Sequence, residues 1–178
     1  GNSDRRVAGP VKEYARKHPH TMGEWSADSR SHVTSMSDGD FYSSEQSVVM
    51  DKADDVKISL HTGAGEEHVL KASTPVQQDE VIDASVMNCR QLRDFFETCT
   101  QQARQEGVLL SLHMKATMMK VSDPIIFGHA VSVYYKDVFE KYADTFDKLG
   151  VDTRNGLGDV YSKIAQLDDA EREQIEAD

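Results

Sequence analysis

The spacing of apolar and polar residues predicts strands in the first half of the chain. VKISLHT (56–62) and HVLKAST (68–74) alternate apolar and polar positions, which is typical of strands with one covered face. The GAGEE stretch between them is a turn signal, so the pair predicts a β-hairpin. EVIDASVM (80–87) is a third extended candidate. VLLSLHM (108–114) is almost continuously apolar, which predicts a strand covered on both faces.

Helical spacing dominates the second half. Asn88 is a capping residue before CRQLRDFFETCTQQARQE, and Gly107 is expected to end that helix. Ser122-Asp123-Pro124 predicts a second start, with Ser122 as the cap, for one long helix that runs to about Leu149 and ends at Gly150. Shorter helices are predicted over 11–18, 155–167 and 168–178. The pattern therefore predicts a mixed α/β (α+β) fold, with a mixed sheet, a β-hairpin and flanking helices.

The length of 178 residues fits a single domain with its own core. Residues 20–47 are rich in Ser, Asp, Gly and His and predict an irregular segment, so we divide the chain into a basic, irregular head (1–47) and an α/β core (48–178). No apolar run approaches a membrane span, and the N-terminal stretch lacks the apolar segment of a signal peptide. Cys89 and Cys99 are ten residues apart on one predicted helix, too far for a disulfide, which favours reduced thiols and a cytoplasmic location.

The charge balance is acidic and uneven. Against 20 Lys and Arg there are 31 Asp and Glu, which gives a formal net charge of −11 at pH 7. Nucleic-acid binding depends mainly on Lys and Arg contacts to phosphates, so we expect no nucleic-acid partner. The cations of the first thirty residues are Arg5, Arg6, Lys12, Arg16, Lys17 and Arg30. A basic head on an acidic body favours small anionic ligands.

Most other candidates for chemistry have a plainer interpretation. The four histidines weighed as ligands are His18, His20, His113 and His129. The first two are expected in exposed loops and the others as satisfied, at least half-buried side chains. No Cys–His cluster has the spacing of a zinc site. The pairs Asp54-Asp55 and Asp168-Asp169 are expected as solvated turn residues, and GAGEE lacks the pattern of a dinucleotide-binding loop.

Lys115 is different in kind, because it stands where the apolar stretch 108–114 ends. Ligands of α/β sheets bind at the carboxyl ends of strands, and a lysine there acts as a base only if nearby cations and burial lower its pKa. Lys120 and the arginines of the head are candidates for that positive field. The pattern alone leaves two alternatives open: a surface lysine at a turn, or a catalytic or substrate-binding lysine.

Several long motifs resemble one enzyme family. HMKATMMKVSDPIIFGH (113–129) closely resembles a block of monomeric-type NADP-dependent isocitrate dehydrogenases. GNSDRR, followed by VKEYARKHPHTMGEW, resembles the head of the same enzymes. Further similar segments are DSRSHV, GDFYSSE, VLKAST, EVIDASVM and GLGDVYSKI. The chain differs from the family pattern at RRVAGPVK and around residues 51–67, but the resemblance covers essentially its whole length.

The resemblance implies a segment of the large domain of an isocitrate/isopropylmalate dehydrogenase-like enzyme. The implied reaction, in the tricarboxylic acid cycle at the glyoxylate-bypass branch point, converts isocitrate to 2-oxoglutarate and CO2 with reduction of NADP. A Mg or Mn ion would chelate the substrate. Lys115 matches the catalytic lysine, to which we assign proton transfer, and Arg5 matches an arginine that clamps a substrate carboxylate. Arg6, Asn2 and Ser3 are weaker candidates for substrate binding.

The same comparison implies that parts of the family's machinery lie outside these residues. Family enzymes are several times longer, and their metal-binding aspartates, partner tyrosine and NADP phosphate clamp match nothing here. We therefore expect no metal- or cofactor-binding residue in this chain, and no dehydrogenase activity from it alone. The parent would be monomeric, whereas apolar surface exposed on the fragment would let it self-associate. The alternative is a stand-alone, non-catalytic module of the same ancestry that binds a ligand or a partner.

Overall fold

The computed structural model describes residues 8–21, 23–112 and 121–178. They form a mixed α/β structure in which small antiparallel sheets accompany helices, so the predicted fold class is confirmed. Contacts divide the chain into two compact units, one of Met36–Leu92 and one drawn from Gly1–Ser35 and Arg93–Asp178. The head and core proposed from sequence, with their boundary near residue 47, stay a prediction. No helix in the described residues is long and apolar enough to cross a membrane.

The elements follow one another along the chain as strands and then helices. The strands are β1 (Gln46–Val49), β2 (Asp54–His61), β3 (Glu67–Val76) and β4 (Val81–Ala84). The helices are α1 (Gly9–Lys17), α2 (Phe41–Ser44), α3 (Cys89–Glu106), α4 (Ser122–Tyr134), α5 (Lys136–Lys141), α6 (Ala143–Leu149), α7 (Leu157–Ile164) and α8 (Asp169–Ala177). A 3-10 turn at Thr153–Asn155 separates α6 from α7.

The unit Met36–Leu92 contains two antiparallel strand pairs. Strands β2 and β3 form the predicted hairpin, whose register runs from Asp54 opposite Val76 to His61 opposite Glu67. Strand β4, predicted as extended chain, pairs with β1, and Val49 lies opposite Val81. The irregular segment expected at 20–47 is therefore wrong at its end, where α2 and the start of β1 lie. The valines of β1 and its pairing with β4 explain why this stretch is ordered despite its polar composition.

The loop before α2 lies close against the start of α3. Gly39 has a left-handed φ of 75°, and an added Cβ would lie 1.8 Å from Gln91 Oε1 and 3.2 Å from Asn88 Cβ. The amide of Asn88 also donates a hydrogen bond to the carbonyl oxygen of Gly39, at 2.8 Å. Only glycine meets both demands, the backbone conformation and the close approach.

Helix α3 begins and ends where the sequence predicts. Asn88 Oδ1 accepts hydrogen bonds from the amides of Arg90 (3.1 Å) and Gln91 (3.2 Å), which is the expected cap. Gly107, with φ 63°, follows its last residue. Both cysteines on this helix are free thiols, and Cys99 is buried while Cys89 is exposed. Only Cys99 belongs to the apolar face.

The strand predicted over 108–114 is wrong for the part that the structure describes. Residues 108–112 form no strand, and Leu109 is 93% exposed. Residues 113 and 114 lie outside the described part of the chain. A strand needs a hydrogen-bonded neighbour, and the described strands pair only as β1 with β4 and β2 with β3. Apolar composition alone therefore did not produce a strand here.

The long helix predicted from Ser122 to Leu149 is also wrong, because it is broken into α4, α5 and α6. The breaks fall at Tyr135 (φ −104°, ψ 29°) and Tyr142 (φ −110°, ψ 23°). Ser122 lies inside α4 instead of capping it, and no side chain caps this start. The expected end is confirmed, since Gly150 adopts the left-handed conformation at φ 67° and ψ 45°.

The breaks let the last helices enclose a core. Phe146, Val160, Ile164 and Ile175 are buried there, from α6, α7 and α8. Half-buried side chains that pack around them are Val138, Phe139, Tyr142, Leu149, Val151, Leu157 and Leu167. A straight helix would carry its apolar stripe away from these partners, so the gain in buried apolar surface explains the two kinks.

Candidate functional site

The residues predicted to carry the chemistry lie outside the described part of the structure. Asn2, Ser3, Arg5 and Arg6 fall within residues 1–7. Lys115 falls within 113–120, together with Lys120 and His113. Their assigned roles therefore stay predictions. The structure does describe the chain on either side of 113–120, which forms the framework around the predicted catalytic segment.

An apolar cavity of about 300 Å³ lies between α3, α4 and the chain that leads towards residue 113. Its aromatic wall consists of Phe95, Phe96, Phe127, Tyr134 and Tyr135. The remaining lining residues are Thr34, Cys99, Thr100, Leu110, Ser111, Leu112, Ala130 and Val131. Apolar residues before and after the predicted catalytic segment thus meet in one place.

The described residues that line this cavity include no lysine or arginine. A tricarboxylate needs cationic or hydrogen-bonding partners, because burying an unpaired carboxylate is costly. The described lining is largely apolar and aromatic, which supports packing as the role of these residues. Thr34 Oγ1 lies 3.8 Å from the buried Cys99 Sγ, a polar contact that joins the chain near residue 34 to α3.

Helix α4, which follows the predicted catalytic segment, is held by the 3-10 turn. At Gly128 an added Cβ would lie 3.0 Å from Thr153 Oγ1 and 3.1 Å from the amide nitrogen of Arg154. A Cβ at Gly156 would similarly lie 3.1 Å from Cε1 of Phe127. Glycine is thus the residue that lets the turn lie directly on α4. The hydroxyl of Ser132 donates to the carbonyl oxygen of Gly128, at 2.8 Å.

A second cavity, of about 510 Å³, lies between residues 30–34, the end of α3 and residues 108–111. Arg30 and His32 are the basic side chains in its lining. The guanidinium of Arg30 donates to the carbonyl oxygen of Glu106, and His32 Nδ1 lies 2.9 Å from the carbonyl oxygen of Arg30. Arg30 thus holds the end of α3, so binding an anion would not be its only role.

An ion pair ties α3 to α5 beside the apolar cavity. Lys136 Nζ lies 3.0 Å from Glu97 Oε1, with side chains 47% and 34% exposed. The hydrogen bond from Lys136 lowers the pKa of Glu97, and the same bond raises the pKa of Lys136. Gln101, one turn further along α3, also donates to Glu97, at 2.7 Å. The pair is accessible to water, so its strength falls with added salt.

His129 on α4 is half-buried, as expected from sequence. Burial lowers its pKa below the ordinary value, and the guanidinium charge of Arg93 lowers it further. An imidazole in this setting is uncharged at neutral pH and is a poor partner for an anionic substrate. In residues 8–21, 23–112 and 121–178, moreover, no three His, Cys, Asp or Glu side chains are grouped so that they could hold a metal ion.

Comparison with known proteins decides what this framework belongs to. The sequence model of the monomeric isocitrate dehydrogenase family matches residues 1–178. The chain belongs to this family. The resemblance seen in its motifs is therefore confirmed over the whole length.

Curated members of the monomeric isocitrate dehydrogenase family are similar to the chain but much longer. Isocitrate dehydrogenase (NADP) 2 of Colwellia maris is 58% identical over 178 residues, which are 100% of this chain and 24% of the relative. The Azotobacter vinelandii isocitrate dehydrogenase (NADP) is 53% identical over 178 residues, again 100% and 24%. Isocitrate dehydrogenase (NADP) 2 of Mycobacterium tuberculosis is 53% identical over 175 residues, 98% and 24%. The chain thus spans 24% of the length of these family members.

Sequence reasoning found the segment that carries Lys115 but missed how α4 behind it is held. The signal was present as two separate glycines, Gly128 inside an apolar helix and Gly156 after a polar turn. Each predicts only a local effect, since one lowers helix propensity and the other favours a turn. Their shared role, a close contact between helix and turn, appears only when the two segments meet.

Proposed function

We propose that this chain is one segment of an NADP-dependent isocitrate dehydrogenase. The enzyme would oxidise isocitrate, release CO2 and form 2-oxoglutarate, with hydride transfer to NADP. The observation that carries the proposal is the family match over residues 1–178, supported by the names of relatives up to 58% identical. Because the chain spans 24% of those relatives, we infer that it has no dehydrogenase activity alone.

Within this proposal Lys115 transfers a proton at the substrate, and Arg5 binds a substrate carboxylate through its two-pronged guanidinium. Arg6, Asn2 and Ser3 are the secondary candidates for substrate contact. The assignment rests on the match between GNSDRR and HMKATMMK and the family motifs. Lysine suits the role because neighbouring cations and burial can bring its pKa towards neutrality.

NADP and a Mg or Mn ion are the proposed cofactors of the whole enzyme. The metal would act as a Lewis acid that stabilises the charge formed as CO2 leaves. The family's metal-binding aspartates and NADP phosphate clamp match no motif of this chain, so we assign the metal and NADP sites to the rest of the polypeptide. A cytoplasmic, monomeric parent enzyme in the tricarboxylic acid cycle completes the proposal.

A chimera tests the proposal directly. In this protein, called the chimera below, the 178 residues replace the matched segment of the Colwellia maris relative. We expect it to produce NADPH from isocitrate with Mg, and Lys115→Met to abolish turnover while metal binding remains. Lys148→Met, which removes an exposed lysine from α6, is the matched control and should leave turnover intact. Full turnover by the Lys115 variant would show that its assignment is wrong.

Measurements on the isolated chain distinguish between the two hypotheses, a fragment of the enzyme and a stand-alone module. We expect neither NADPH production nor saturable isocitrate binding in calorimetry, and saturable, specific binding would favour the module. We also propose that the isolated chain self-associates, because side chains such as Val33 (96% exposed), Trp25 (81%) and Leu109 (93%) present apolar surface to water. Sedimentation that shows a monomer at high concentration would contradict that part.

A further inference from the structure

Helix α1 lacks the buried contacts that normally hold a short helix. All nine residues of Gly9–Lys17 are exposed, including Val11 at 56% and Tyr14 at 66%. Isolated helices shorter than about 12–15 residues are marginal in water, because ordering the first turn costs more than one hydrogen bond returns. A proline in the first turn and basic residues in the last turn help, but each effect is small. Helix α1 is therefore a candidate for docking on another surface.

The apolar side chains of α1 share one side of the helix. Helical spacing places Val11, Tyr14 and Ala15 of α1, with His18 at its C-cap, in a stripe about 100° wide, and we call these four residues the α1 stripe. The rings of Tyr14 and His18 lie 4.3 Å apart with an interplanar angle of 32°, so they form one continuous surface. This i, i+3, i+4, i+7 pattern is the one by which helices bind in grooves of other proteins.

Cations border the α1 stripe on both sides. At 3.6 residues per turn, Lys12 flanks it on one side and Lys17 on the other. Among the described residues, neither of these two side chains has a hydrogen-bond or ion-pair partner. Glu13, the one acidic residue of the helix, lies on the opposite side from the stripe, as does Arg16. The complementary surface is therefore an apolar groove with an acidic rim.

We propose that the α1 stripe docks on such a groove in the part of a monomeric isocitrate dehydrogenase polypeptide that lies outside these 178 residues. The inference rests on the proposed function, since the chain spans 24% of its relatives and most of such a polypeptide remains to supply the groove. Nucleic acid and anionic membranes fit less well, because the chain carries a net charge of −11 and the stripe has only two large apolar side chains besides histidine.

Trypsin measures this docking, because it cuts after Lys12, Arg16 and Lys17. Cleavage tracks the fraction of time for which a segment is open, so we expect it to be at least about tenfold slower in the chimera than in the isolated chain. Tyr14→Asp should restore fast cleavage in the chimera, whereas Glu13→Gln on the opposite side should not. Added salt should weaken the protection, since the bordering cations contribute. Tyr14 is 66% exposed in the isolated chain, so its replacement does not unfold that chain.

The outcomes separate the docking from the enzyme function. Equal cleavage rates in the chimera and the isolated chain overturn the docking. Protection of the isolated chain that increases with its concentration also overturns it, because a second copy of the chain would then be the occupant. A protected but inactive chimera contradicts the proposed function alone. If the chimera does not fold, the intact Colwellia maris relative and its excised matched segment give the same comparison.

Discussion

Replacing Gly128 with alanine tests whether the contact between α4 and the 3-10 turn holds this part of the fold. The new Cβ would meet Thr153 Oγ1 at 3.0 Å, the amide nitrogen of Arg154 at 3.1 Å and the carbonyl carbon of Thr153 at 3.3 Å. Two of these three atoms belong to the backbone and cannot rotate away. The turn or the helix must therefore shift, and overpacking of this kind typically costs about 1–3 kcal/mol.

Helix propensity acts in the opposite direction, because alanine favours a helix over glycine by about 1 kcal/mol. We expect Gly128→Ala to lower the free energy of unfolding by up to about 2 kcal/mol, the difference between the two effects. The matched control is Gly158→Ala in α7, where no atom lies within 4 Å of the new Cβ. That variant should gain stability, by a few tenths to about 1 kcal/mol.

Urea unfolding followed by circular dichroism compares the two variants, with the midpoint read at unchanged slope. Thr153→Ala in the Gly128→Ala background removes the closest contact but leaves both backbone contacts, so we expect partial recovery. A Gly128→Ala chain stabilised as much as Gly158→Ala would refute the argument that the turn lies tightly on α4.

Two further measurements address pH dependence and capping. The folded-state pKa of His129 is lowered, so as pH falls through about 6.5 the unfolded chain binds the proton first and stability is lost until the folded-state pKa is passed. The free energy of unfolding, measured at pH 7.5 and pH 5, should show that His129→Gln removes this part of the stability loss and that Arg93→Gln reduces it. If both variants have the same pH profile as the parent chain, the assignment to His129 is contradicted. Asn88→Ala should lower the free energy of unfolding by about 1 kcal/mol, because both cap hydrogen bonds are lost. Asn88→Asp should retain most of that stability in the same urea assay. Equal losses of stability in the two variants would exclude capping.

The features predicted correctly from sequence are those whose causes lie a few residues apart. The β2–β3 hairpin follows from two alternating runs joined by GAGEE. The limits of α3 follow from Asn88 and Gly107, and the end of α6 follows from Gly150. In each case a side chain or a glycine satisfies backbone groups in its own turn, so no distant contact is needed.

The candidate site was also predictable from the sequence only in part. Motifs alone identified the family, and the family match confirms it over residues 1–178. The roles of Lys115 and Arg5 come from those motifs and stay predictions. The surroundings were not predictable from motifs, because the apolar cavity joins α3, α4 and residues 110–112 from separate parts of the chain.

By itself, the sequence determined the family, the hairpin and the helix limits that capping residues mark. Tertiary structure decided the breaks at Tyr135 and Tyr142, which turn apolar side chains towards Phe146 and its neighbours. It also decided that residues 108–112 form no strand and that the 3-10 turn packs on α4 at Gly128. The physical reason is that burial and strand pairing depend on what lies opposite a segment, and a local pattern carries no information about that partner.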